Sequence, residues 1–101
     1  MSEDDLIHVD VHDFMENNRG ELMLVLDGQP EPPTSAAQLR LAHKRDEAVL
    51  HRGDGKDMLI DKIHPEAMEK LRDVETIVVT EMDGEEILHS YFAKVQEFAQ
   101  A

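Results

Sequence analysis

Ile7, Val9 and Val11 alternate with His8, Asp10 and His12, and this period of two on β-branched residues predicts a strand. A helix over 2–18 is the rival reading, because Ile7, Val11, Phe14 and Met15 also fit a helical seam ending at Gly20. Residues 16–20, ENNRG, read as a turn. The continuous apolar run ELMLVLD at 21–27 has strand length and suits a strand buried on both faces.

Between 35 and 53 the pattern fits two structures. Ser35, Gln38 and Gly53 would delimit a helix, but its apolar stripe breaks at Arg45 and Asp46. A hairpin is preferred, in which QLRLAH and EAVLHR flank a polar KRD turn and Leu39 and Leu41 alternate with polar neighbours. MLIDKI at 58–63 is a further strand. The next segment is the clearest helix, over 65–73. Pro65 opens it, Glu66 and Glu69 precede Lys70 and Arg72 in the sense the helix dipole favours, and Ala67, Met68 and Leu71 form its apolar stripe. ETIVVTEM at 75–82 is a strand, and Asp83–Gly84 is a hairpin signal. The segment 85–99 returns as a strand, or as a helix with a seam of Ile87, Leu88, Tyr91, Phe92 and Val95; the strand is preferred.

The elements sum to a single α+β domain over 1–101. It is β-rich, with a mostly antiparallel sheet or partly closed barrel and one short helix at 65–73. Leu22, Leu24, Leu26, Leu41, Ile60, Met68, Leu71, Ile77, Val79 and Phe92 are its predicted core. With only Phe14, Tyr91, Phe92 and Phe98 as aromatics, that core is aliphatic, with methionine filling gaps. The same poverty argues against a platform for stacking sugars or bases.

Charge changes the picture more than composition does. The net charge of −13 disfavours direct binding to nucleic acid or to an anionic membrane surface. Residues 1–16 carry Glu3, Asp4, Asp5, Asp10, Asp13 and Glu16 without a lysine or arginine, and 75–86 carry Glu75, Glu81, Asp83, Glu85 and Glu86, again without one. Residues 40–52 are a more basic flank, with Arg40, Lys44, Arg45 and Arg52. If the two acidic stretches meet in space, they form one anionic face. The MSEDD start does not read as a signal peptide and no apolar run has membrane length, so a cytoplasmic location is expected.

Candidate chemistry centres on IHVDVHDF. In a strand, His8, Asp10 and His12 share a face, and two imidazoles with a carboxylate suit Zn²⁺ or a similar ion. Further ligands would have to come from elsewhere, such as His89 or Glu81. A polar strand edge explains the same residues. The absence of cysteine removes disulfides and thiolate chemistry, and Ser2, Ser35 and Ser90 lie in no nucleophile motif. RGDGKD at 52–57 matches neither a Ca²⁺ loop nor a phosphate loop and reads as a turn. His43, His51 and His64 fit hairpin or helix-entry positions, and strand alternation accounts for His89 with Tyr91.

The sequence therefore predicts a non-enzymatic acidic interaction protein without a cofactor. Its partner would be a basic protein, foremost a nucleic-acid-binding one that it engages as a nucleic-acid mimic or inhibitor. The partner-binding residues would be Asp10, Asp13, Glu81, Asp83, Glu85 and Glu86. The alternatives are a metal-binding protein or metal-dependent hydrolase using His8, Asp10 and His12, and a domain whose charge serves only solubility or salt adaptation. A small sheet also suggests a homodimer through an uncovered strand edge.

Overall fold

The computed structural model describes residues 7–33, 36–42, 46–53 and 57–97. Eight strands and one helix follow in the order β1 (Ile7–Val9), β2 (Val11–Glu16), β3 (Leu22–Asp27), β4 (Ala37–Leu41), β5 (Ala48–His51), β6 (Met58–Ile60), α1 (Pro65–Arg72), β7 (Thr76–Asp83) and β8 (Glu86–Glu97). They form one sheet in the order β1-β6-β5-β4-β8-β7-β3-β2. The expected β-rich α+β architecture is present, as a mixed sheet nearly closed into a barrel. Antiparallel ladders join β2–β3, β4–β5, β5–β6 and β7–β8, while β1–β6, β3–β7 and β4–β8 are parallel.

The two ends of the sheet are β1 and β2, which only Asp10 separates in sequence. One N-terminal segment thus serves both: its first half pairs with β6 and its second with β3. No ladder joins β1 to β2 among the described residues, and they remain the two ends of the sheet.

Strand phase decides what lies inside. Leu22, Leu24 and Leu26 on β3, Leu39 and Leu41 on β4, Leu50 on β5, Met58 and Ile60 on β6, and Ile77 and Val79 on β7 are all buried. Each full burial of this kind is worth about 1.5–3 kcal/mol. Nine of the ten predicted core residues are inside. Phe92 is not: it is 58% exposed, because Ala93 and Tyr91 hold the inward phase of β8 and leave Phe92 on the outer face. The strand expected over 58–63 is shorter. Lys62, at φ 60°, turns the chain out of the sheet, and Ile63 reaches the core from beyond it, its N–H donating to the Asp46 carbonyl at 2.8 Å.

The helix begins as its sequence dictates. The His64 side chain accepts from the Glu66 N–H at 3.2 Å, Pro65 needs no hydrogen bond, and Ala67, Met68 and Leu71 face the core. It links the C-terminal end of β6 to the N-terminal end of β7, so it lies at the end of the barrel opposite Asp83. The preferred hairpin of β4 with β5 and the strand choice for β8 both hold. At the β7–β8 turn, Gly84 has φ 64° and leads a two-residue connection. Ser35, His43, and parts of the expected KRD and RGDGKD turns lie outside the described residues. Among the described residues, no helix is long and apolar enough to cross a membrane.

Candidate functional site

Among the described residues, the densest chemistry lies inside the barrel, where β5, β7 and β8 end or begin. On β7 the inward phase runs Ile77, Val79, Glu81; β5 reads Ala48, Leu50, and the next inward residue is Arg52. Glu81 and Arg52 are both 0% exposed. Their pairing is two-pronged, with Arg52 Nε donating to Glu81 Oε2 at 2.8 Å and Nη2 to Oε1 at 3.2 Å. The β7–β8 ladder sets His89 opposite Glu81, and Tyr91 two residues on shares its face.

Three more donors complete the carboxylate. The Gln29 N–H reaches Oε1 at 2.9 Å, His89 Nε2 reaches Oε1 at 3.0 Å, and the Tyr91 hydroxyl donates to Oε2. Arg52 Nη2 also donates to the Glu31 carbonyl. The loop after β3 is thereby fastened over the cluster. Gly28 lies against Glu81, and its N–H donates to the Met82 carbonyl at 2.9 Å. Among the described residues, no buried side-chain nitrogen or oxygen lacks a hydrogen-bond partner.

The electrostatics follow from these contacts. Burial pushes the Glu81 carboxyl up, but the Gln29 N–H, Tyr91, Arg52 and His89 together outweigh it and hold the group below its ordinary 4.5. Burial first, then the hydrogen bond and charge of Glu81, push the Tyr91 phenol above its ordinary 10.0. A general acid or base works best with a pKa near the operating pH. Here Glu81 is shifted below and Tyr91 above its ordinary value, both away from neutral pH. The partners of Glu81 lock β5, β7, β8 and the 28–31 loop together.

Tyr91 is the one tyrosine of a chain without tryptophan, so its ionisation can be read directly by absorbance. The unfolded phenol ionises near 10.0 and the folded one higher, so stability falls as pH rises above 10. Phenolate absorbance should therefore stay absent just above pH 10 and appear together with unfolding. Tyr91→Phe should abolish that alkaline step and lower stability at neutral pH by about 1.5–3 kcal/mol, as for a hydrogen bond to a charged group. A phenolate titrating near 10 in protein that is still folded would contradict this.

This placement corrects one expected site residue. The sequence places Glu81 on an exposed anionic face, yet it is buried and paired with Arg52. The same pair removes Arg52 from the basic flank. Asp10, Asp13, Asp83, Glu85 and Glu86 are exposed as expected. Register brings several of them together: the Asp27 N–H faces the Asp10 carbonyl at 3.5 Å, Asp27 pairs with Met82, and Asp83 pairs with Glu86. The two base-free stretches thus meet, through β3, along one rim, and Asp27 joins them. Asp13 stands farther along β2, opposite Val25.

The histidines of IHVDVHDF part company. Asp10 interrupts the strand, His8 lies beside Leu59 with Asp61 at 3.9 Å, and His12 meets Asp27 at 2.5 Å. Asp10, the third member of the supposed ligand set, is exposed and paired with neither in the structure. Among the described residues, no three histidine or acidic side chains converge as a metal would require. The Arg52–Glu81–His89–Tyr91 cluster escaped the sequence reading, although a signal existed. Glu81 and Arg52 both continue the apolar phase of their strands, where a lone charge needs a partner.

Compared with protein-family models, curated proteins and solved structures, the chain matches none.

Proposed function

We propose that this protein is a non-enzymatic acidic interaction domain whose partner is a basic, nucleic-acid-binding protein. The observation that carries this reading is the rim of Asp10, Asp27, Asp83 and Glu86, joined from the β1–β2 junction through the ends of β3, β7 and β8. Neighbouring strands repeat at about 4.8 Å. The acidic strand ends joined at this repeat concentrate negative potential along one rim. A basic protein would be steered to the rim and would release its own counterions on contact. The buried cluster supports the reading from beneath, because it fixes β7 and the 28–31 loop on which the rim stands.

The test is capture of partners from the native host at low salt, followed by release. The bound protein should be basic, should be displaced by duplex DNA, and should dissociate steeply towards physiological salt. Combined Asp10→Asn, Asp27→Asn, Asp83→Asn and Glu86→Gln substitutions should abolish its capture. Recovery of neutral or acidic partners alone, or capture undiminished by the four substitutions, would leave the charge a role in solubility only.

A further inference from the structure

The outer face of β2–β3–β7–β8 carries a row that its surroundings do not explain. Register pairs Met15 with Met23, Met23 with Val78, and Val78 with Phe92. Directly paired residues share a face, so these four side chains form one apolar row across four strands. It is open to solvent at its ends, where Met15 is 38% and Phe92 58% exposed. Their chain neighbours Leu24, Val79 and Ala93 point inward, which confirms that the row points out. Three strand spacings make it roughly 14 Å long. An α-helix covers about 10.5 Å between residues i and i+7, so one apolar helical stripe fits this length.

The charge around the row selects its occupant. Asp13 stands in the adjacent row opposite Val25, and Asp27 continues that outward phase at the end of β3. These four strands hold one lysine, Lys94, and no arginine. A second copy would bring acid against acid at a net charge of −13, and nucleic acid or anionic lipid would be repelled likewise. We infer that this face docks a basic amphipathic helix of a protein partner, with its apolar stripe on Met15, Met23, Val78 and Phe92 and its lysines or arginines over the carboxylates. The inference rests on the reading of the protein as the binder of a basic partner, and gives that partner a shape.

Two synthetic peptides of equal length and charge test it by titration at low salt, where the basic partner is expected to bind. One is an amphipathic helix of leucine and lysine; in the other, glutamine replaces every leucine. The leucine peptide should bind the native protein about tenfold tighter or more, since burying a few apolar side chains supplies at least that factor. Met15→Thr/Phe92→Thr should erase the surplus and leave the glutamine peptide's affinity unchanged, and Phe92→Thr alone serves as a second variant should the double one not fold. Equal affinity of the two peptides for the native protein, or a surplus that survives both variants, would overturn the inference. If both peptides then bind in a salt-dependent way, the reading of a basic partner still stands. Failure of both peptides to bind overturns the two together. A dimer by sedimentation that Phe92→Thr dissolves would assign the row to a second copy and overturn the inference as well.

Discussion

Glu81→Ala is expected to destabilise the fold by about 3–5 kcal/mol, the usual consequence of leaving one member of a buried ion pair alone. Arg52 is 0% exposed and cannot reach water to recover its hydration. The Glu31 carbonyl and the His89 ring, which also lie against it, do not replace the lost carboxylate charge. The Gln29 N–H and the Tyr91 hydroxyl lose their acceptor in the same step. Glu81→Gln should fall short of that loss, because one amide oxygen still accepts while the charge is gone. Arg52→Met/Glu81→Leu should recover much of the stability, since apolar replacement of both partners removes the desolvation penalty along with the attraction. Equilibrium urea unfolding of Arg52→Met, of Glu81→Leu and of the double variant closes the cycle. Additive losses would mean that the pair is not coupled as its geometry requires.

The same carboxylate sets a limit at low pH. The unfolded chain binds a proton near 4.5 and the folded one only below it, so the Glu81 contribution is complete above 4.5. It is lost as pH falls through the folded value. Glu81→Gln should remove this part of the acid sensitivity, leaving a flatter stability profile below pH 4.5.

The barrel was legible because its strands keep phase. Leu39 and Leu41, or Ile77 and Val79, declare an inner face without any knowledge of their partners. Helix α1 was legible because Pro65, Glu66, Lys70 and Arg72 are local signals, decided within one or two turns. The order of the strands was not. The parallel β3–β7 pairing joins residues more than fifty apart, and nothing local records it. The buried cluster was missed for a related reason. Glu81 lies in an acidic stretch, and net charge drew it into the surface although its phase put it inside. Phe92 shows the converse error, in which hydrophobicity outweighed phase. In a strand, position parity decides which way a side chain points, and residue type reports only what that placement costs. The acidic rim was half legible. The two stretches were visible, but Asp27, which joins them, belongs to a strand read only for its apolar run.

Gly28→Ala is expected to cost about 3 kcal/mol or more, although alanine is the smallest change available. A Cβ at this position would lie 2.2 Å from the Glu81 Cβ and 3.0 Å from its Cα. Neither atom is the end of a flexible chain, so the backbone must yield. Overpacking alone costs about 1–3 kcal/mol. Moving the loop also breaks the Gly28 N–H bond to the Met82 carbonyl, and loosens the Gln29 N–H from Glu81 and the Glu31 carbonyl from Arg52. Each such bond adds about 1 kcal/mol. Gly20→Ala is the control that separates space from conformation. A Cβ on Gly20 meets nothing within 4 Å, but its φ of 80° lies in the left-handed region, so only backbone strain of about 1 kcal/mol is expected. Urea unfolding should thus rank Gly28→Ala well above Gly20→Ala. The amide of Gln29 should also exchange with solvent faster in Gly28→Ala and unchanged in Gly20→Ala, because only the first lifts the loop from Glu81. Equal losses in the two variants, or an unchanged Gln29 amide, would mean that the 28–31 loop does not depend on its seat against Glu81.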